Sequence, residues 1–399
     1  MRVLYMKAMQ TIPLALVIFA VEFHPGVAAL AQTNPVAVGQ ATNLLGVCIA
    51  VSGHYAYVGG GGEEGSLHIY DFSNPTAPVK MSSTNSSYVT GIAVRGSYAY
   101  LACGYDGLRI YDVSNPANPS NIGHAIKLFD GTNADSSAVA LSGNYAYLSC
   151  DFGGLGMFDI SDPSHPIDVG LSSPAGGQKQ GVAVRGNYCY VAGSGLDIFD
   201  ISDPTHAFRV GWVYRPNANV VALADHFAYM GSIGGFWIVD ISNPAMPIEI
   251  TNVDNFAGWT TSVAVSGNYL YLAKGSDGLR IYDVSNPLSP TEVGSAPAPN
   301  ASGFSVSGSY GFLANGTDGL RIYSLGTPSS PPLRISADGA NTLVLSWPTP
   351  TPSFALQQNT DLQTVNWVTL TNTPSTVGAR NQIAVPSPAG TMFYRLLSH

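Results

Sequence analysis

The sequence GLRIYDVSNP decides the fold, because it occurs twice in the chain, at 107–116 and at 278–287. A shorter copy, GLRIY, occupies 319–323. Ten identical residues at two distant places indicate either a chemical site that is used twice or a repeated building block. The sequence around each copy distinguishes these two interpretations.

Each copy lies inside a longer unit that recurs along the chain. The unit reads as an apolar strand, a tight turn, a Tyr-rich strand, a third apolar strand that ends in Asp, an Asn-Pro or Asp-Pro turn, and a short strand of the form P-x-x-V-G. A period in the low forties with four strands in each unit is typical of a β-propeller blade. The first turn of the unit occurs at 50–53, 93–96, 140–143, 183–186, 222–225, 264–267 and 305–308.

The third strand repeats most strictly. Its first, third and fourth positions are apolar in every copy, which predicts a strand that neighbouring sheets cover on both faces, while its second position varies freely. We interpret the closing Asp as a turn residue, because a catalytic acid is not expected in every unit. The seven copies are Leu67–Asp71, Leu108–Asp112, Leu155–Asp159, Leu196–Asp200, Phe236–Asp240, Leu279–Asp283 and Leu320–Ser324.

The first 31 residues differ from the repeats. Arg2 and Lys7 precede a short apolar run at 11–21, and the small residues at 29–31 suit a cleavage site. This pattern indicates a secretory signal peptide, since the apolar run is too short to span a bilayer comfortably; a retained membrane anchor is the alternative. We therefore expect a secreted chain, extracellular, on the cell surface or periplasmic, that starts near Ala31 and does not insert into membranes.

The last unit lacks a fourth strand, and a matching segment lies near the start of the mature chain. That segment is PVAVG at 35–39. The sequence therefore predicts an all-β fold in which 32–326 form a seven-bladed β-propeller that the N-terminal strand closes.

The element LRIYD, together with FWIVD at 236–240, resembles the repeat of the LVIVD family of secreted β-propellers. The resemblance covers roughly 35–326. It implies a propeller fold, and it implies no particular reaction.

A different pattern follows the predicted linker at 327–332. Six short strands are predicted there, and the stretches at 345–348 (LSWP) and 393–396 (FYRL) resemble fibronectin-III-like modules. The resemblance implies a small C-terminal β-sandwich over 333–399. Three aromatic residues are expected in its core, with sugar binding as the alternative role: Trp347, Trp367 and Tyr394.

The charge and the cysteine content of the chain limit which partners and which cysteine roles we expect. The formal net charge is −9 and Lys and Arg form no cluster, so we do not expect nucleic acid as a partner. The four cysteines, Cys48, Cys103, Cys150 and Cys189, have no metal-binding spacing, and buried thiols are favoured over disulfides. We expect Cys103 and Cys150 in particular to lie too far apart for a disulfide.

The loops of one propeller face carry the informative variation between units. Connections into the first strands and loops between the second and third strands emerge on that face. They carry eight aromatic residues, and exposed rings with a polar rim mark binding surfaces; the alternative is that these rings plug the channel mouth or pack the loops. The predicted ligand-binding residues are Tyr88, Tyr105, Phe129, Phe152, Trp212, Tyr214, Phe256 and Trp259.

We find no motif for a nucleophile, a metal or a phosphate. The Gly-x-Asp-Gly loops lack the further carboxylates of a calcium site, and the histidines have no ligand spacing. We therefore predict no catalytic residue, no metal and no cofactor, and a monomeric binding scaffold for an extracellular protein or polysaccharide. The alternative is a carbohydrate-active hydrolase or lyase with its site in the central funnel.

Overall fold

The computed structural model divides into two units, one of which comprises Gln32–Gly326 and the other of which includes Thr327–His399. The predicted signal peptide and linker lie outside the described residues. The structure describes residues 34–42, 44–61, 67–84, 87–129, 132–150, 154–172, 180–215, 217–325, 334–337, 342–348, 354–359, 367–370, 372–377, 380–386 and 392–398.

The first unit consists of antiparallel sheets, which we number in chain order. The first strand is β1 (Val36–Ala41). Sheet 1 contains β2 (Gly46–Ser52), β3 (Tyr55–Gly60), β4 (Leu67–Asp71) and β5 (Val79–Thr84). Sheet 2 contains β6 (Gly91–Arg95), β7 (Tyr98–Ala102), β8 (Leu108–Asp112) and β9 (Ser120–Ala125). A short hairpin follows, with β10 (Leu128–Phe129) and β11 (Thr132–Asn133).

The next two sheets follow the same order. Sheet 3 contains β12 (Ser136–Ser142), β13 (Tyr145–Cys150), β14 (Gly154–Asp159) and β15 (Ile167–Ser172). Sheet 4 contains β16 (Gly181–Arg185), β17 (Tyr188–Ala192), β18 (Gly195–Asp200) and β19 (Phe208–Tyr214). A single turn of 3-10 helix, Pro204–His206, precedes β19.

The remaining sheets complete the first unit. Sheet 5 contains β20 (Ala218–Ala224), β21 (Phe227–Asp240) and β22 (Ile248–Trp259). Sheet 6 contains β23 (Ser262–Ser266), β24 (Tyr269–Ala273), β25 (Leu279–Asp283) and β26 (Thr291–Ala296). Sheet 7 contains β27 (Gly303–Ser307), β28 (Tyr310–Ala314) and β29 (Leu320–Ser324), with β1 paired to β29.

Sheet 5 differs from the sequence expectation, because its predicted second and third strands are continuous as β21. In place of a Gly-x-Asp-Gly loop, the chain has Ile233, Gly234 and Gly235. Gly234 adopts a positive φ of 86°, which a residue without a Cβ tolerates. The chain therefore bends within one strand, whose first half pairs with β20 and whose second half pairs with β22.

Successive sheets contact each other through their first strands. The contacts run from β2 to β6, β12, β16, β20, β23 and β27 in turn, and β27 also contacts β2. Sheet 7 is thus next to both sheet 6 and sheet 1, and β1 lies on its outer edge in antiparallel register from Val36↔Ser324 to Ala41↔Leu320.

The third strand of each sheet is covered on both faces, as its apolar pattern predicts. In sheet 2, Leu108 and Ile110 are fully buried in a cluster with Leu148 of sheet 3. Tyr111 points the other way and packs in a cluster with Leu67 of sheet 1. Full burial of such side chains stabilises the fold by about 1.5–3 kcal/mol each, so the third strand carries much of the stability of its sheet.

The Asp that closes the third strand is a turn residue. The Asp112 carboxylate accepts a hydrogen bond from the Ser114 backbone N–H at 2.8 Å, and the Val113 N–H donates to the Ser97 carbonyl at 2.8 Å, which ties the two turns of the sheet together. This confirms the interpretation made from the sequence. The same carboxylate–backbone bond is made by Asp71, Asp159, Asp200, Asp240 and Asp283.

The glycine of the fourth strand lets neighbouring sheets approach closely. Gly211 lies at a register shift in β19, and a Cβ atom there would overlap the carbonyl oxygen of Pro244 in the turn of sheet 5. Gly39 of β1 meets the carbonyl of Pro75 in sheet 1 in the same way. The recurring Val-Gly and Asn-Pro elements are therefore two halves of one contact between sheets.

The second unit contains two small sheets. One has the order β30 (Arg334–Ala337), β31 (Thr342–Pro348), β35 (Arg380–Pro386) and β34 (Ser375–Val377), and the other β33 (Val368–Thr369), β32 (Phe354–Asn359) and β36 (Phe393–Ser398). Both contribute to one apolar cluster. Trp347 and Tyr394 are buried in it as predicted, whereas Trp367 is only half-buried. The sequence pattern had missed β34.

We predict that Gly211→Ala destabilises the protein by about 1–3 kcal/mol, because the new methyl group must displace a backbone carbonyl. Gly170→Ala is the matched control, since there the nearest atom is the flexible Met157 Cε at 3.1 Å and the Pro204 carbonyl is 3.4 Å away. Urea denaturation of both variants measures the difference. Equal stability of the two variants would show that the close contact is unimportant.

We also predict an acid-dependent contribution from the turn of sheet 3. Hydrogen bonds from Ser164 and His165 lower the pKa of Asp162 from 3.8 to about 2. A lowered folded-state pKa stabilises the protein above the ordinary pKa, and the contribution disappears as the pH falls toward 2. The difference in melting temperature between the wild type and Asp162→Asn should therefore shrink over that range, and a difference independent of pH would contradict this.

Candidate binding face and central channel

The first strands of the described sheets, β2, β6, β12, β16, β20, β23 and β27, line a channel. It encloses ≈ 600 Å³. Its wall is formed by the starts of these strands and by the residues just before them. The described lining segments are 47–49, 90–92, 137–139, 180–182, 219–221, 259–263 and 302–304.

Glycines opposite β-bulges bring the strands close enough to form this wall. A Cβ atom on Gly91 would lie 2.8 Å from the Cα of Ala138, and one on Gly181 would lie 2.8 Å from the Cα of Val220. Gly303 meets Cys48 in the same way at 2.9 Å. Each of the three facing strands has a register shift at this point. Sheets 2, 4 and 7 thus each fit a glycine against a bulge of the next sheet.

The side chains that line the described channel are uncharged, and one buried ammonium lies directly behind them, with Lys274 Nζ 3.5 Å from Thr260 Oγ1. The described lining residues include Thr90, Gln180, Asn219 and Ser302 near the strand starts, and no Asp, Glu, Lys, Arg or His is among them. Apolar residues follow one or two positions further along each strand, for example Val182. The wall therefore changes from polar at the mouth to apolar deeper inside.

Two of the mouth hydroxyls have structural partners. Thr90 Oγ1 lies 3.0 Å from the Ala102 carbonyl and 2.7 Å from the Ser136 carbonyl. Thr261 Oγ1 makes the equivalent pair of contacts in sheet 6, to Ala273 at 3.0 Å and to a carbonyl of the following connection at 2.7 Å. These hydroxyls hold the connections between sheets in place.

Five of the eight predicted aromatic residues have described side chains, and all five are about half exposed. Phe152 lies outside the described residues, as do the side chains of Phe129 and Phe256. The exposed fractions are 50% for Tyr88, 65% for Tyr105, 56% for Trp212, 60% for Tyr214 and 49% for Trp259.

The structure places these rings at different distances from the channel. Trp259 lines it, and its backbone is fixed by pairing with Ile233. Trp212 and Tyr214 lie on β19, the outer strand of sheet 4, where the Arg209 guanidinium carbon is 5.7 Å from the Trp212 ring centroid. The predicted set therefore includes a channel residue and edge-strand residues.

A polar cluster that the sequence analysis missed lies next to Tyr88 and Tyr105 in the chain. The Asp106 carboxylate accepts hydrogen bonds from Arg109 Nε and, at 2.5 Å, from Ser87 Oγ. His124 Nε2 lies 3.2 Å from the same carboxylate. Burial raises the pKa of Asp106, but the hydrogen bonds from Arg109 and Ser87 outweigh it and hold that pKa below its ordinary value.

The ion pair between Asp106 and Arg109 recurs in two other sheets. It corrects the interpretation that the second position of the third strand varies freely. The second position of the third strand does not vary freely where the preceding loop is Gly-x-Asp-Gly. Arg280 pairs with Asp277 at 3.0 Å and Arg321 with Asp318 at 3.1 Å. The spacing of Asp and Arg by three residues was the available signal. The aspartates of these loops thus pair with arginine. The described residues contain no group of three or more His, Cys, Asp or Glu side chains that could hold a metal ion.

A buried lysine anchors the loop that carries Phe129. Lys127 Nζ donates to the Asp168 carboxylate at 2.5 Å and to the Gly170 carbonyl at 2.6 Å. Its stem crosses Gly156, where a Cβ atom would lie 3.3 Å from Lys127 Cγ. Gly156 stands at the second position of its third strand, so the missing side chain there leaves room for the lysine of the preceding loop.

The four cysteines are free, in agreement with the expectation for Cys103 and Cys150. Burial raises the pKa of Cys103 to about 12 and raises that of Cys189 further. A thiol is nucleophilic only as the thiolate, so neither is suited to catalysis at neutral pH.

Repeated antiparallel sheets around a central channel define the class of this protein as a β-propeller. Solved structures support that fold. The WD40 β-propeller domain of Doa1 aligns with a TM-score of 0.58 at 10% identity, covering 73% of this chain and 97% of that one. The RRP9 WD40 repeats give 0.55 at 11% identity, covering 73% and 99%, and the designed Ika8 protein gives 0.51 at 11%, covering 73% and 100%.

The chain belongs to the LVIVD repeat family. Six segments match the LVIVD repeat, and together they cover more than half of the chain, which confirms the resemblance inferred from LRIYD. No curated protein matches the chain. The matched segments are 47–86, 87–125, 134–171, 176–213, 217–255 and 257–297.

We predict that Lys127→Met releases the loop between β9 and β12. The variant keeps the apolar stem but loses a charged hydrogen bond worth about 1.5–3 kcal/mol, so amide hydrogen exchange at 126–135 should accelerate. Arg209→Met is the control, since it removes the 2.9 Å ion pair with Asp197 on another sheet. Unchanged exchange at 126–135 in Lys127→Met would contradict the anchoring role.

Proposed function

We propose that this protein is a secreted, non-enzymatic binding scaffold that recognises an extracellular protein or a polysaccharide through the loop face of its propeller. The observation that carries the proposal is the exposure of five large aromatic rings at the predicted positions. Exposed aromatic residues are enriched at binding sites and dominate their energetics. Buried rings at these positions would instead have favoured a packing role.

The proposed architecture is a seven-bladed propeller that acts as a rigid monomer. Two features support closure by the N-terminal strand: β1 completes sheet 7, and Gly39 on it packs against Pro75 of sheet 1. A C-terminal fibronectin-III-like sandwich, serving attachment or spacing, is supported by the apolar cluster shared by two sheets. Secretion is proposed from the leader pattern at 1–31.

A binding role is favoured over catalysis by how the ionisable groups are used. Asp106 is engaged by Arg109 and Ser87, and the repeated turn carboxylates bond their own backbone, as Asp112 does. Catalysis by acids and bases needs groups whose pKa is tuned within a pocket, and the described channel lining carries no carboxylate and no histidine.

Within the described ranges, no helix has the length and hydropathy that crossing a bilayer requires.

The decisive experiment is a glycan-array and pull-down screen with the mature protein. For a ligand found there, the double variant Trp212→Ala, Trp259→Ala should weaken binding by more than about tenfold, because aromatic anchors carry most of the affinity in such interfaces. The matched control is Met246→Ala with Leu288→Ala, which removes exposed apolar side chains in the turns at the other ends of the strands.

Two results would overturn the proposal. One is unchanged affinity of the double variant for its ligand. The other is turnover of a screened polysaccharide, which would favour the carbohydrate-active enzyme instead.

A further inference from the structure

The channel has the size of a small-molecule site. Its volume of ≈ 600 Å³ lies within the range of about 300–1,000 Å³ typical of ligand pockets. Such pockets are mostly apolar with a few polar groups that fix orientation. The change from polar to apolar lining along each first strand matches that description.

Asn219 is a polar residue of this wall whose side chain makes no hydrogen bond to the described residues. It stands at the bulge of β20, between Ala218 and Val220, and is only 6% exposed. It lines the channel, and its carboxamide has no hydrogen-bond partner among the described residues. The bulge itself does not need an amide, because the corresponding residue is Val47 in sheet 1 and Ser137 in sheet 3.

Trp259 supplies an aromatic surface on the same part of the channel lining. Its ring is half exposed at the mouth, while the backbone around it is held. The Thr260 N–H donates to the Ser232 carbonyl at 3.0 Å, and Thr260 Oγ1 donates to the Gly235 carbonyl at 2.9 Å. Ser232 also pairs with Ala218, the neighbour of Asn219. The ring and the amide are therefore held by the same stretch of β21.

We propose that the channel mouth binds one unit of an uncharged saccharide, an inference that rests on the proposed binding function and assigns its ligand class. The apolar face of a sugar ring stacks on Trp259, and its hydroxyl groups bond the Asn219 carboxamide. The described lining offers no cationic side chain that would contact a carboxylate directly, so an uncharged sugar suits it better than an acidic one. Because no charge takes part, affinity depends only weakly on ionic strength.

The test is calorimetric titration of the mature protein with cellotetraose, xylotetraose and maltotetraose, with tetragalacturonate as the charged counterpart. At least one neutral oligosaccharide binds, and tetragalacturonate does not. Asn219→Leu weakens that binding by about 3- to 10-fold, as expected for one neutral hydrogen bond. Trp259→Ala weakens it by about 30-fold, as expected for an aromatic anchor.

A control outside the binding face checks that the effect is specific to the channel. Leu288→Ala removes an exposed apolar side chain that is absent from the described channel lining, and it leaves sugar binding unchanged. Melting temperatures check folding, and Asn219→Leu does not lower them, since the amide has no partner to lose. Conversely, a lowered melting temperature in Asn219→Leu together with unchanged binding overturns the proposal.

The failures of the two proposals are separable. If no neutral tetrasaccharide binds, or if Asn219→Leu binds as the wild type does, the channel site is wrong. If Tyr105→Ala or Trp212→Ala then weakens the binding of a ligand found in the screen, the proposed binding face is retained and only the channel site is rejected. If neither the sugars nor any screened ligand binds, both proposals fail.

Discussion

The structure depends on close backbone contact between neighbouring first strands. At Gly91, Gly181 and Gly303 the next sheet lies so near that a single methyl group would not fit without movement. Packing in protein interiors is tight, and added volume at such points strains the structure. These glycines set the separation of the sheets at the channel, and that separation determines the dimensions of the channel. The Gly211–Pro244 contact sets the separation of sheets 4 and 5 at the turn that precedes β22 of sheet 5.

The repeat also explains how one short sequence stabilises a whole sheet. Leu108 and Ile110 face the following sheet, Tyr111 faces the preceding one, and the closing Asp112 fixes the turn. The stability of repeat proteins is carried by such neighbour contacts. Because this framework recurs from sheet to sheet, the connections between sheets are free to differ.

The sequence was sufficient to predict most strands of the repeats and insufficient to predict β34 or the surroundings of Asn219. Periodicity identified every third strand, because burial on both faces demands apolar residues at fixed positions. Trp259 was found because an aromatic residue in a long loop is conspicuous. Asn219 was not found, since an Asn at the start of a strand is ordinary. Its burial follows from a bulge that has no sequence signature. Lys127 was missed for a similar reason, because its partners Asp168 and Gly170 belong to the next repeat.

The pairing of glycine with bulge leaves one of the described sheets without a counterpart. The described channel wall joins sheets two by two, 7 with 1, 2 with 3 and 4 with 5. Among the described contacts sheet 6 has no such partner, and its Ser262 Oγ instead accepts a hydrogen bond from the Phe304 N–H at 3.0 Å. A ring of near-identical members thus acquires one inequivalent position without any special insertion. Trp259 and Asn219 border that position, so a change there alters one side of the channel and leaves the three glycine–bulge pairs undisturbed.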